Sequence, residues 1–95
     1  MLFSIFAYDV EDSLPLRQQA RPEHIARLEK LDAEGRLVLA GPNPNVDKDG
    51  FSGSLIVAEF DTLEAASEWA DADPYMQGGV YDYVEVKPFK QVFPK

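Results

Sequence analysis

The chain has 95 residues, 45% of them hydrophobic and 12% aromatic, enough apolar material for one domain, residues 1–95, that buries about two thirds of its unfolded surface. Nine basic residues against 17 acidic ones leave a net charge of −8. Phosphate backbones and anionic lipid surfaces are repelled by that excess, so nucleic acid and membrane are poor partners.

The opening MLFSIFAYDVED has no basic start and no small-residue cleavage pattern, and it reaches acid by Asp9. It reads as neither a signal peptide nor a membrane span. LFSIFAYD is a strand: Phe3, Ile5 and Ala7 share one face, while Leu2, Phe6 and Tyr8 share the other, broken only by Ser4. VEDSLPLRQQA is a connector with a turn of helix begun by Ser13 and Pro15 tolerated early. The spacing of RPEHIARLEKLDAEG predicts a helix in which Pro22 takes the first position, Ile25, Leu28 and Leu31 form the buried stripe, and Gly35 terminates. Glu23 and Arg27 make an i,i+4 pair on its solvent side, worth roughly 0.3 kcal/mol.

RLVLAG is the second strand and GPNPNVDKDG a loop dense in turn-forming residues. GSLIVAEF is the third strand. DTLEAASEWADAD is the second helix, opened by Asp61 with Glu64 three positions on and buried through Leu63, Ala66, Trp69 and Ala70. PYMQGG then turns the chain into VYDYVEVKPF, the fourth strand, which Pro88 ends.

The order β-α-β-β-α-β, with right-handed crossovers, gives an α+β fold of ferredoxin-like type: a four-stranded antiparallel sheet with two helices on one face. The other face is apolar as well, through the first strand and through Leu37, Leu39, Leu55, Val57, Tyr81 and Tyr83, which strict alternation assigns to that side. A bare apolar face of that size predicts a homodimer packed sheet to sheet. The competing cover is the C-terminal tail.

Several motifs fail on inspection. DKDG at 47–50 lacks the ligand spacing of a calcium loop, and GFSGS at 50–54 puts Ser54 where a nucleophile elbow needs glycine. GPNP lacks the spacing of a phosphate loop. With no cysteine there are no disulfides, thiolate zinc sites or cysteine nucleophiles, a usage that fits a reducing cytoplasm. No metal site and no cofactor is expected.

His24, the only histidine, is the natural proton carrier near neutral pH. Placed third in a helix opened by Pro22, it would sit in the positive field of the helix start, which favours a neutral ring. The other reading is a partly buried histidine bonded to a backbone carbonyl. Asp71 and Asp73 end the second helix in ADADPY, where carboxylates oppose the helix dipole. Asp73 is either a turn-starting cap before Pro74 or, if the two helices lie side by side, a carboxylate that orients the His24 ring.

The stretches RPEHIARLEKLDAEGRLVLAGP and GFSGSLIVAEFDTLEAASEWADADPYMQGGVYDYVEVKPFKQVF closely resemble the YciI family of small YCII-related proteins, and the likeness spans essentially the whole chain. Its most specific pieces are R-P-x-H and A-D-A-D-P-Y. The resemblance implies a dimeric α+β barrel and a histidine–aspartate pair, proposed as an active site, that maps onto His24 and Asp73. Related branches are linked with acid/base lyase or dehalogenating chemistry on small ring substrates. In such a fold Arg21 is placed to steer an anionic group, Ser54 and Tyr75 to hydrogen-bond a polar substrate, and Gly41 and Pro42 to shape the pocket wall by close backbone approach. Two functions follow: a small cofactor-free enzyme of lyase, dehalogenase-like or isomerase type, or a non-catalytic dimeric module that holds a metabolite or docks on a partner.

Overall fold

The computed structural model describes residues 1–95 and orders them as β1 (Leu2–Asp9), α1 (Leu14–Ala33), β2 (Leu37–Pro44), β3 (Phe51–Glu59), α2 (Leu63–Asp71), α3 (Pro74–Gln77) and β4 (Tyr81–Phe89). The four strands form one sheet in the order β2-β3-β1-β4, every neighbour antiparallel. This is the ferredoxin-like α+β arrangement that the order of elements predicts. Phe3, Ile5, Ile56 and Ala58 project from the central strands and meet Leu31, Ala66 and Ala70 from the helices in the larger buried cluster. A smaller cluster of Ala7, Tyr75, Val80 and Tyr81 lies beside it. The site is built against this second cluster.

Four local expectations are corrected. The connector at 10–20 is mostly helix, because α1 begins at Leu14 and runs through Pro22 to Ala33. Proline inside a helix removes one backbone bond and crowds the preceding turn, at a cost of ~3 kcal/mol. Tertiary anchoring offsets that cost: Arg17, in the first half, is only 5% exposed and bonds a β1 carboxylate. His24 is therefore the eleventh residue of a 20-residue helix, too deep for the field of a helix start to act on it.

The α2 cap is also displaced by one position. Thr62, not Asp61, accepts the Ala65 N–H at 3.0 Å, and Leu63 is largely exposed. Third, Arg27 does not pair with Glu23. It is half-buried and donates to the Trp69 carbonyl at 2.9 Å, its guanidinium 4.3 Å above the Trp69 ring. Fourth, PYMQGG is more than a turn, since Pro74–Gln77 form the short helix α3.

Two β-bulges change which side chains share a sheet face. Leu37 pairs with Ala58 while Leu39 pairs with Val57, so Val38 is an extra residue and Leu37 packs on the helix side. Asp9 pairs with Tyr81 whereas Tyr8 pairs with Tyr83, so Asp82 is skipped and Tyr81 turns inward to the smaller cluster. Simple alternation placed both on the open face. That face keeps Leu2, Phe6, Leu39, Leu55 and Val57, while on β4 it also carries Glu85 and Lys87.

Candidate functional site

Two buried acid–base pairs approach the same aromatic ring. Asp73 caps α3, its Oδ1 accepting the Tyr75 N–H at 2.9 Å, which fixes the carboxylate before any partner arrives. The same oxygen lies 2.8 Å from Nδ1 of His24, with the two residues 2% and 6% exposed. A carboxylate already accepting one N–H accepts a second, so in the neutral ring the proton belongs on Nδ1 and the lone pair on Nε2. Nε2 makes no hydrogen bond within the protein and is not sealed from solvent. Tyr75 holds the imidazole from one side: the rings are stacked, with centroids 3.8 Å apart and planes 7° from parallel.

The second pair is Arg17 with Asp9. Arg17 Nε and Nη2 donate to the two carboxylate oxygens at 2.6 and 2.9 Å, and Nη2 also donates to the Gly53 carbonyl and Ser54 Oγ at 2.9 and 3.0 Å. Ser13 Oγ donates to the same Asp9 carboxylate at 2.6 Å. Gly53 is required here, since a Cβ would stand 2.2 Å from the Ala7 carbonyl oxygen. The Arg17 guanidinium lies 5.0 Å above the Tyr75 ring and 4.9 Å above Phe51. Burial weakens the charge of Arg17, but the hydrogen bonds and field of Asp9 outweigh it and the pKa is raised. Its Nη1 makes no hydrogen bond of good geometry and is not enclosed, although the guanidinium lies near enough to the Tyr75 hydroxyl to act on it.

Burial also raises the pKa of Tyr75, an effect that Arg17 and Arg21 partly oppose. Tyr81 stands edge-on to Tyr75, with centroids 5.6 Å apart. Its pKa is pushed well above the tyrosine range, by burial first of all. Ser54 offsets part of that rise, yet the Tyr81 hydroxyl has no hydrogen-bond partner of good geometry.

His24, Arg17 and Tyr75 open on a cavity of about 330 Å³ between α1 and the β2–β3 half of the sheet. Arg21, Gly41, Pro42 and Ser54 line it as well, so the sequence-selected side chains converge there, while Asp73 stands behind His24. A Cβ at Gly41 would meet no protein atom within 4 Å, so no protein contact requires glycine there. The sequence reading missed Arg17, Gln18, Ile25, Leu28 and Phe51 in the lining. No spacing in the sequence marked Arg17, because Asp9 ends β1 while Arg17 lies on α1, and the pair meets only in the fold. No three histidine, aspartate or glutamate side chains converge in the manner of a metal site, and no helix is long and apolar enough to cross a membrane.

A ferredoxin-like α+β domain with a carboxylate-backed histidine over an apolar cavity defines the class. Within it, residues 1–90 match the model of the YCII-related domain, and the chain belongs to that family. Protein YciI of Escherichia coli O6:H1 (strain CFT073) is 56% identical to it over 98 residues, covering 98% of this chain and all of the relative. An uncharacterized protein of Haemophilus influenzae is 49% identical over the same span. Among solved structures, 5-chloro-2-hydroxyhydroquinone dehydrochlorinase (TftG) from Burkholderia phenoliruptrix AC1100, in complex with 2,5-dihydroxybenzoquinone, superposes with a TM-score of 0.83 at 26% identity, covering 95% of this chain and 94% of that one. Protein Atu4242 from Agrobacterium tumefaciens, at 14% identity and a TM-score of 0.53, shares the fold.

Proposed function

We propose that the chain is a small acid–base enzyme acting on an oxygenated ring or similarly compact substrate, with His24 as the proton carrier. The observation that carries this reading is the 2.8 Å contact of His24 Nδ1 with Asp73, which leaves Nε2 free beside an open cavity. Nε2 takes a proton from a substrate hydroxyl, or from carbon next to an oxygenated centre, and Asp73 stabilises the imidazolium that forms. The electron pair left behind either expels an anionic leaving group such as chloride or is reprotonated elsewhere by the same imidazolium. The first course is an elimination and the second an isomerisation. Negative charge developing on a substrate oxygen is met by the open Nη1 of Arg17 and by the Ser54 hydroxyl. Ile25, Leu28, Ile56 and Phe51 supply apolar walls for the ring.

The dehydrochlorinase of similar fold supports elimination as the first chemistry to try, with 5-chloro-2-hydroxyhydroquinone as the assay substrate and chloride release as the readout. His24→Ala should lower turnover by ~10²–10⁴-fold while the circular dichroism spectrum stays that of the native chain. Turnover that survives the substitution overturns the mechanism. Binding of substrate with no turnover by the native protein points instead to a metabolite-holding module.

A second copy of the chain is the proposed cover for the open sheet face, where Phe6, Leu39, Leu55 and Val57 form the apolar strip and Tyr8 stacks on Tyr83 at 4.5 Å. Leu55→Glu should convert a dimer to a monomer in sedimentation equilibrium. A native chain that sediments as a monomer contradicts the proposal.

A further inference from the structure

The lining of the His24 cavity contains no carboxylate, although the chain carries 17. Its charged side chains are Arg17 and Arg21, with the Gln18 amide beside them. Arg17, Arg21 and His24 follow one another at i, i+4 and i+7 on α1, so they form one stripe facing the cavity. Along the helix axis Arg21 stands about 6 Å from Arg17 and about 4.5 Å from His24. The two arginines differ in what they already hold. Arg17 is bonded along its Nε–Nη2 edge by both oxygens of Asp9, whereas Arg21 is exposed and makes no ion pair or hydrogen bond. Three and four positions from Arg21 on either side stand Arg17, Gln18, His24 and Ile25, none of them acidic. In a chain with a net charge of −8, this is an uncompensated cation at the mouth of a pocket.

We propose that the ligand of this cavity carries two separated acidic groups: a ring or enol oxygen at His24 and Arg17, and a carboxylate held at the mouth by Arg21. The proposal rests on the acid–base reading of His24 and adds to it the substrate class, small hydroxylated or enolisable carboxylic acids. The inner group undergoes proton transfer. The outer carboxylate meets the planar fork of Arg21, which suits two parallel hydrogen bonds, and Gln18 offers a further donor. An anionic ligand also has to overcome the negative field of the whole chain, so a preference for it can only be local.

The test uses 2,5-dihydroxybenzoate and hydroquinone, the same ring with and without a carboxylate, titrated into the full chain while the ring signals of His24 are followed by NMR. As the chain's only histidine, it gives an unambiguous reporter. The carboxylated probe should bind about tenfold more tightly, the gain expected of one hydrogen-bonded charge pair. Arg21→Gln should bring the ratio of the two affinities to about one, and Arg21→Lys should keep part of the preference. Equal affinities in the native chain, or a preference that survives Arg21→Gln, overturn the inference and leave the acid–base reading standing. If neither probe moves the His24 signals, the acid–base reading falls and this inference with it.

Discussion

The two acid–base pairs beside Tyr75 look alike and differ in what they leave open. In each, a cationic or basic side chain of α1 meets a buried carboxylate, with side-chain exposures of 8% and 3% for His24 and Asp73 and of 6% and 1% for Arg17 and Asp9. The Arg17–Asp9 pair is close to saturated: three donor groups converge on one carboxylate, and Arg17 also ties down a β3 carbonyl and hydroxyl. It fixes the floor of the cavity. The His24–Asp73 pair is left unfinished, with one contact on Nδ1 and Nε2 open. Both pairs keep one nitrogen open, but Nη1 of Arg17 can only donate a hydrogen bond, whereas Nε2 of His24 can also accept a proton.

The sharpest way to break that contrast is to remove each carboxylate in turn. Asp9→Ala strands a buried guanidinium and should cost about 3–5 kcal/mol, read from urea unfolding. Asp73→Asn keeps the Tyr75 cap acceptor and should cost only about 1 kcal/mol, while reducing turnover far more than stability. Equal stability losses with turnover unchanged in Asp73→Asn would show that both pairs serve the fold alone.

Next in size is the strut behind Asp73. Arg27 joins α1 to the last turn of α2, just before the ADADPY turn that carries Asp73. Loss of its hydrogen bond and its contact with the Trp69 ring in Arg27→Met should cost about 1–2 kcal/mol. Faster hydrogen exchange at the Tyr75 amide, which bonds Asp73, would show that the strut holds the turn. Unchanged exchange there would confine Arg27 to general packing.

The smallest effect has the opposite sign. Tyr81 buries a hydroxyl without a partner, so Tyr81→Phe should stabilise the chain by about 1 kcal/mol. The pH dependence follows from the raised pKa of Tyr81. Below the ordinary tyrosine value of ~10, folded and unfolded chains both hold the phenol proton. Above it the unfolded chain releases the proton while the folded chain keeps it, so stability falls as pH rises. Tyr81→Phe should flatten that alkaline decline, measured as melting temperature between pH 8 and about 11. An unchanged decline would assign it to other groups, Tyr75 among them.

Much of the fold was legible because four strands and two helices each carry their own period, and the β-α-β-β-α-β order admits few topologies. The errors share a cause, in that tertiary contacts overrode local rules. Pro22 reads as a helix start, yet the anchoring of Arg17 carries α1 through it. Leu37 and Tyr81 read as members of the open face, yet one extra residue in each strand turns them inward. At the site, His24 and Asp73 stood out as a lone histidine and a carboxylate at the wrong end of a helix. His24 lies too deep in α1 for a helix-start field, and what singles it out in the fold is the contact of Nδ1 with Asp73. Arg17 was invisible because an arginine in a connector looks solvated, and only the fold brings Asp9 against it.

The most direct test of the contrast is the nitrogen NMR spectrum of the His24 ring, recorded where the imidazole is neutral, in the native chain and in Asp73→Asn. The structure predicts a protonated, hydrogen-bonded Nδ1 and a bare Nε2 in the native chain, with Nε2 shifting when 2,5-dihydroxybenzoate is added and the tautomer balance changing in Asp73→Asn. A proton found on Nε2 of the native chain, or an Nε2 signal indifferent to every added ring compound, would contradict it.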